Sequence, residues 1–138
     1  MNISEQRKLD AFNARCLRKI LQIQHSFMSR VSNEAVLEQA GMKNLSKVLL
    51  SRQLDLMRNL ALRNDSDILR QSVFKQGGFE LKLPNGPKKR GRPKRLWAQV
   101  MLQHAVQASG SINELTRMWQ QTPAAKAAWN ACLREYCK

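Results

Sequence analysis

Residues 45–63 read LSKVLLSRQLDLMRNLALR, and this stretch predicts the central helix of the fold. Its apolar residues recur every three or four positions, as they do on a helix that buries one broad face. They are Leu49, Leu50, Leu54, Leu56, Met57, Leu60 and Ala61. Because these residues spread over half of the helix surface, we expect other helices to pack around it.

Residues 4–23 predict a basic amphipathic first helix, with Ser4 as its N-cap. The apolar half of this helix holds Leu9, Phe12, Cys16, Leu17, Ile20, Leu21 and Ile23, and the basic half holds Arg7, Lys8, Arg15, Arg18 and Lys19. Two readings of the basic half stay open. It is either a surface that lies on phosphates or the solvated face of an ordinary packed helix.

Capping residues mark the other predicted helices. These signals are Ser32 or Asn33, Gly41, the break at residues 64–67, Pro93, Gly110, Ser111 and the pair Thr122-Pro123. We therefore expect an all-α fold, a small bundle of six to seven helices interrupted by one long basic Gly/Pro loop. The predicted division is a helical part at residues 1–75, an exposed loop at 76–93 and a second helical part at 94–138.

The loop carries the most concentrated charge in the chain, six cations in eight residues. The run is Lys88, Lys89, Arg90, Gly91, Arg92, Pro93, Lys94 and Arg95. Its RGRP core resembles an AT-hook, a peptide that enters the minor groove of A·T-rich DNA. A nuclear import signal, a general phosphate clamp and a solvated loop are the alternatives. Because Pro93 leads directly into a predicted helix anchored by Trp97, the phosphate clamp is favoured over the AT-hook.

Composition points the same way, toward a nucleic-acid partner. The 138 residues carry 24 Lys and Arg against 10 Asp and Glu, a formal net charge of +14. No stretch has the length of a transmembrane helix and no secretory signal is visible, so we expect a nuclear protein without a membrane partner.

No catalytic or cofactor motif is apparent. Cys16, Cys132 and Cys137 lack metal-ligand spacing, and His104 falls on an apolar helical stripe, as a satisfied boundary histidine does. Trp97, Trp119 and Trp129 also fall on such stripes, which favours core anchors over base-stacking platforms. We expect no enzyme activity, no cofactor and no metal.

Four landmarks resemble the region that follows the reverse transcriptase domain in non-LTR (LINE-type) retrotransposon polyproteins. They are the CLRKIL string at residues 16–21, VSNE at 31–34 with the later Ala40-Gly41, the RGRPKR stretch at 90–95 with Trp97, and the pair Trp119 and Trp129. The resemblance runs from about Lys8 to Leu133. Residues 55–59, DLMRN, depart from the family's RWLGH, and the polymerase palm is absent.

The resemblance implies a helical appendage that binds template or target and serves a reverse transcriptase domain in trans or formerly in cis. With the charge pattern it predicts a non-catalytic fragment that binds DNA or RNA phosphates through the basic loop and the basic helix face. Two alternatives remain. One is a protein-interaction or structural relic whose basic loop is only an import signal, and the other is an AT-hook chromatin protein.

Overall fold

The computed structural model describes residues 3–82 and 96–137, and within them the fold is all-α. Eight helices are present in these residues, compared with the six to seven predicted. They are α1 (Ile3–Ile20), α2 (Ser26–Ser29), α3 (Asn33–Gln39), α4 (Leu45–Ala61), α5 (Ile68–Val73), α6 (Trp97–Ser109), α7 (Ile112–Met118) and α8 (Pro123–Tyr136). The additional one is α2, a single turn inside the predicted connector at residues 25–30. Such a short turn lacks the apolar periodicity by which sequence reveals a helix.

The described residues divide into two compact units. Unit 1 holds the residues up to Ser51 together with Cys137, and unit 2 holds the residues from Arg52 to Tyr136. The boundary therefore falls inside α4. This differs from the predicted first part, which ended at residue 75.

Unit 1 is built on the packing of α1 against α3. Leu17 of α1 is buried in one apolar cluster with Val36 and Leu37 of α3. The partly buried residues packed against this cluster are Leu21, Ile23, Val31 and Ala40. Ser32 caps α3, since its Oγ accepts a hydrogen bond from the Ala35 amide. The helix ends just before Gly41, whose φ of +63° is the left-handed conformation predicted for it.

Unit 1 also supplies the N-terminal cap of α4, from a side chain on α1. Oδ1 of Asp10 accepts a hydrogen bond from the Ser46 amide at 2.8 Å, and Oδ2 accepts one from the Ser46 hydroxyl at 2.6 Å. The first amides of a helix have no partner within the helix, and a carboxylate there also meets the positive end of the helix dipole. Asp10 thus joins the first and fourth helices through one side chain.

Unit 2 has an aromatic core. Trp119 lies edge-on to Phe74, Phe79 and Trp129, with ring centroids 5.4–6.3 Å apart. Trp119 and Trp129 are each only 1% exposed, so their predicted role as core anchors is confirmed. Trp97 is 37% exposed, and the same prediction is wrong for it. Trp97 is the first residue of α6.

Two polar side chains complete the packing of unit 2. The indole Nε1 of Trp129 donates to Oδ1 of Asp55 at 3.0 Å. Arg58, only 6% exposed, donates from Nε to the Met118 carbonyl and from Nη2 to the Gln120 carbonyl. Burial lowers the pKa of Arg58, and the Asp55 carboxylate partly opposes that shift. These residues belong to the DLMRN string, so the string has structural contacts of its own in this chain.

The residues after α5 form a turn closed by a β-bridge, with Phe79 and Leu81 half-buried, where an exposed loop was expected from residue 76 onward. Phe74 and Leu81 make an isolated antiparallel bridge, with backbone hydrogen bonds from Lys75 to Glu80 and from Lys82 to Val73. The Phe79 ring is half-buried against Trp119. The sequence did not reveal a pairing partner for the extended segment around Phe79 and Leu81. That partner is Phe74, which is the C-cap residue of α5 and was assigned to the helix. The rest of the predicted loop lies outside the described residues.

Three further predicted caps are confirmed, whereas Ser4 is not the N-cap of α1, because that helix already begins at Ile3, and Pro93 lies outside the described residues. Asp67 accepts from the Leu69 and Arg70 amides, Ser111 from the Glu114 amide and Thr122 from the Ala125 amide. Gly110 ends α6 with φ +82°. None of the helices within the described residues is long and apolar enough to cross a membrane.

Candidate nucleic-acid interface

One exposed line of side chains runs along α1, and we call it the α1 strip: Lys8, Phe12, Arg15 and Lys19. These residues follow one another at intervals of four, three and four, and at about 100° per residue they fall within about 60° of the helix circumference. All four are exposed. Lys8 and Lys19 are eleven residues apart, about 16 Å along the axis. The strip thus offers three cations and one aromatic ring on a single face.

The orientation of this face is fixed by Arg18, which is 5% exposed. Its Nη2 donates to the Val31 carbonyl at 2.6 Å and to Oδ1 of Asn33 at 3.1 Å, while Nη1 donates to the Gln24 carbonyl at 3.1 Å. A fourth contact, at 3.5 Å, reaches Oγ of Ser29. Arg18 therefore ties α1 to the connection between α1 and α3. Its planar fork of five N–H donors suits this multiple capture of oxygens.

The prediction that Arg18 belongs to the solvent-facing basic half is consequently wrong. The buried arc of α1, marked by Ala14, Leu17 and Arg18, is centred about 100° from the middle of the predicted apolar half. The same rotation leaves Phe12 58% and Ile20 74% exposed. The buried arc is the one on which α3 packs against Leu17 and on which Arg18 donates to the Gln24 and Val31 carbonyls.

The five predicted cations of α1 therefore separate into three groups. Lys8, Arg15 and Lys19 lie on the strip, Arg18 is internal, and Arg7 is exposed about 100° around the helix from Lys8. Among the acids, Asp10 lies on the far side of the helix, where Ser46 uses both of its oxygens. Glu5 precedes Lys8 by one turn, so an acid borders the N-terminal end of the strip.

The cations of the strip have no acidic partner within the described part of the chain. The four ion pairs there are Arg63–Asp67, Arg70–Asp65, Lys75–Glu80 and Arg117–Glu114, all in unit 2. Arg15 makes only a 3.4 Å contact with the carbonyl of Ala11, one turn earlier on its own helix. Three uncompensated positive charges in line attract a polyanion.

The second predicted site, the run at Lys88, Lys89, Arg90, Gly91, Arg92, Pro93, Lys94 and Arg95, lies outside the described residues. Its assignment to phosphate contact stays a prediction from sequence. The structure brings together three of the thirteen predicted site residues, those on the α1 strip.

His104 has structural partners of its own. Nδ1 of His104 lies 2.9 Å from the Tyr136 hydroxyl, which in turn donates to Oε1 of Gln107. Since that hydroxyl proton is given to Gln107, Nδ1 of His104 is the donor of the first bond. The predicted satisfied histidine is confirmed. Within residues 3–82 and 96–137, no cluster of three or more His, Cys, Asp or Glu could hold a metal ion.

In one polar cleft of unit 2, both arginines are already engaged by partners within the chain. The cleft is lined in part by Arg63, Asp65 and Arg70. Arg70 is 6% exposed and donates to Asp65 and to the carbonyls of Ala61 and Gly78, while Arg63 is paired with Asp67. With both guanidinium groups engaged, the α1 strip remains the stronger candidate.

Comparison of the chain with protein-family models, with curated proteins and with solved structures found no match. Function is therefore inferred from the geometry and charge of the described residues and from the sequence pattern.

Phe12 is the strip residue that the sequence prediction missed, because it was placed on the apolar half. Its spacing of four and three from Lys8 and Arg15 was visible in the sequence. The sequence did not show from which side α3 packs on α1. That direction decides whether an aromatic residue at the edge of the apolar half is covered.

Proposed function

We propose that this chain is a non-catalytic nucleic-acid-binding module. Phosphates of DNA or RNA lie against Lys8, Arg15 and Lys19 of the α1 strip, and the basic run at residues 88–95 adds further phosphate contacts. The observation that carries the proposal is the strip itself: three exposed cations in line on a helix whose orientation is fixed by a buried arginine, with no acidic partner in the described residues.

A phosphate-binding helix and a merely solvated one differ in how their charges are arranged. A solvated face commonly mixes signs, so that lysines and arginines meet acids one turn away. Unit 2 follows this pattern with Arg63–Asp67 and Arg117–Glu114. The α1 strip has a single acid within one turn, Glu5 before Lys8, and Asp10 lies on the opposite side of the helix, where it binds Ser46. This contrast within one chain favours an external anion as the partner of α1.

The test is duplex binding across a range of salt concentrations for the intact chain and for the triple variant Lys8→Gln, Arg15→Gln, Lys19→Gln. Each phosphate contact contributes about 0.9 to the slope of log affinity against log salt on B-DNA. We expect the triple variant to bind more weakly at low salt and its slope to fall by about 2 to 3.

A charge-matched control distinguishes the loss of a binding site on α1 from the loss of net positive charge. Arg52, Lys126 and Arg134 are exposed residues of unit 2, and changing all three to Gln removes the same charge. We expect the slope of this control to change by less than about 1. Equal losses in both variants would contradict a binding site on α1.

The basic run requires a variant of its own. Arg90→Ala with Arg92→Ala removes two of its six cations, and we expect a weaker affinity and a slope lower by about 2 on duplex DNA. If all six met phosphates, their share of the slope would be at most ~5. Competition between A·T-rich and G·C-rich duplexes distinguishes the chromatin-type AT-hook alternative, because a phosphate clamp shows no preference.

The second candidate function is a protein-interaction piece, and one observation favours it. Unit 1 exposes large apolar side chains, with Ile20 at 74%, Phe27 at 76% and Met28 at 58%. Such residues mark a partner surface or an aggregation-prone face when they adjoin. If this function is correct, the chain self-associates at low salt without nucleic acid, and Phe27→Ser with Met28→Ser restores a monomer in sedimentation. A monomeric intact chain that binds DNA contradicts it.

We further propose that the module serves a reverse transcriptase domain in trans or formerly in cis. Support comes from the resemblance of the sequence strings alone. One of them, CLRKIL, contains Arg18, whose hydrogen bonds orient the strip. A reverse transcriptase reading frame directly upstream of the coding sequence is the expected finding. An unrelated neighbouring frame with its own intact boundaries would contradict it.

A further inference from the structure

Phe12 occupies an unusual position for a large apolar side chain. It is 58% exposed, lies between Lys8 and Arg15 on the strip, and makes no ring contact with another aromatic residue of the described chain. Its ring is thus free to receive a planar ligand. The cations on either side bring a polyanion to that ring.

Internal packing does not account for this position. The core contacts of α1 are made on the arc of Ala14 and Leu17, about 140° or more around the helix from Phe12. Three rings of unit 2, those of Phe74, Trp119 and Trp129, are by contrast buried together, whereas Phe27 of unit 1 is exposed as Phe12 is. Phe12 therefore contributes little to the core that α1 builds.

Insertion into a lipid surface is also disfavoured by the composition of the strip. A helix that lies in a membrane interface presents a wide apolar face, with its cations at the margins. On the α1 strip the arrangement is the opposite, because a single ring, that of Phe12, lies in one line with three cations. The wide apolar arc around Leu17 is already covered by α3.

We propose that the α1 strip binds single-stranded nucleic acid, with a base stacked on Phe12 and the flanking phosphates held by Lys8, Arg15 and Lys19. This inference rests on the proposed function and specifies its substrate class. Base–aromatic stacking combined with a positively charged track is the physical basis of sequence-tolerant single-strand binding. In a duplex the bases are already stacked inside the helix, so an exposed ring on a protein surface reaches them only after extrusion.

The experiment compares two ten-nucleotide strands, oligo(dT) and an abasic strand with the same phosphates and no bases. Binding of the full chain is followed by fluorescence anisotropy at fixed salt. We expect the intact chain to prefer oligo(dT) over the abasic strand by about 5- to 100-fold. Phe12→Leu keeps an apolar side chain and removes the ring, and it should lower affinity for oligo(dT) by about 10-fold or more while leaving the abasic strand within about 2-fold.

Phe27→Leu is the matched control, because Phe27 is an exposed ring of unit 1 outside α1. It should change neither affinity, and far-ultraviolet circular dichroism should report the same helix content for both variants. Equal losses of oligo(dT) binding in the Phe12 and Phe27 variants would overturn the assignment of stacking to the strip.

The remaining outcomes separate this inference from the proposed function. Equal binding of both strands, unaffected by Phe12→Leu but weakened by the triple cation variant, overturns stacking and leaves phosphate binding intact. Absence of binding to either strand and to duplex overturns both. If Phe12→Leu instead abolishes binding to vesicles containing phosphatidylserine, with no preference for oligo(dT), the strip is a lipid-binding surface and the inference fails.

Discussion

At the scale of single residues, three buried arginines bind backbone carbonyl groups within this structure. Arg18, Arg58 and Arg70 are each 5–6% exposed, and every one of them donates to backbone carbonyl groups. An arginine can bind several such oxygens at once because its donors are arranged in a rigid fork. Carbonyls at helix ends and in connections would otherwise be buried without partners. Composition alone counts these residues as surface charge, and in this chain they are internal hydrogen-bond donors.

Replacing Arg18 by Met tests this role directly. The change keeps most of the side-chain volume but leaves the Gln24 and Val31 carbonyls without their donor. We expect the free energy of unfolding to fall by about 2 to 4 kcal/mol in urea denaturation. Arg18→Lys keeps one compact donor group, so its free energy of unfolding should lie between that of the parent chain and that of Arg18→Met.

The matched control is Arg15→Met on the exposed face of the same helix. Its effect should stay within about 0.5 kcal/mol. Similar losses in Arg15→Met and Arg18→Met would show that the helix depends on its overall charge and not on the buried network.

Asp67 gives a pH-dependent prediction. The hydrogen bond from Arg63 holds the pKa of this carboxyl below its ordinary value, and the Leu69 and Arg70 amides act in the same direction. A folded-state pKa below that of the unfolded chain means that the contribution to stability is present above about pH 4 and is lost as the pH falls through the folded-state pKa. Asp67→Asn should therefore lower the urea midpoint at pH 7, and the gap to the parent chain should narrow at about pH 2.5.

Glu38→Gln is the control for this titration, since Glu38 is an exposed carboxylate with no ion pair in the described residues. A gap for Asp67→Asn that stays constant across the acid range would mean that its charge contributes nothing and that only the cap geometry matters.

At the scale of elements, the start of α4 depends on a side chain from another helix. Asp10 binds both the amide and the hydroxyl of Ser46, so Asp10→Ala should cost about 1 to 2 kcal/mol in the free energy of unfolding. Ser46→Ala removes only the hydroxyl bond and should cost less.

The double variant measures the interaction between these two residues. Because the residues share the contact, the cost of Ser46→Ala should shrink in the Asp10→Ala background. Strict additivity of the two changes would contradict the cap. The first amides of α4 should exchange faster in the Asp10→Ala chain. This measurement reports on the cap locally and does not depend on the global free energy of unfolding.

The elements also show where sequence patterns succeed. Caps at Ser32, Asp67, Ser111 and Thr122 were predicted correctly because an N-cap depends on a residue and the amides two or three positions later. Local chemistry of this kind is complete in the sequence. The turn at residues 74–82 was not foreseen, because it depends on Phe79 meeting Trp119, forty residues further on.

At the scale of the whole molecule, the described residues form two compact units, each with buried apolar residues of its own. Leu37 belongs to the cluster between α1 and α3 of unit 1, and Leu115 is fully buried in unit 2. Leu37→Ala and Leu115→Ala should each cost about 2 to 5 kcal/mol. We expect Leu37→Ala to lower hydrogen-exchange protection mainly in α1 and α3, and Leu115→Ala to lower it mainly in α6 to α8.

The two substitutions serve as controls for each other under the same conditions. An identical pattern of lost protection in both variants would indicate a single cooperative unit and would contradict the division at residue 51.

The sequence by itself determined the all-α class, most helix bounds to within a few residues, most of the caps, and the excess of positive charge. These properties depend on local periodicity, on neighbouring residues and on composition. Tertiary structure decided which arc of α1 is covered, and it turned that arc by about 100° from the predicted one. The side chains of a helix point outward at fixed angles around its axis. Which face of the helix is buried is decided only by the neighbouring element that packs against it. That selection placed Arg18 inside, left Lys8, Phe12, Arg15 and Lys19 in line at the surface, and so defined the candidate site.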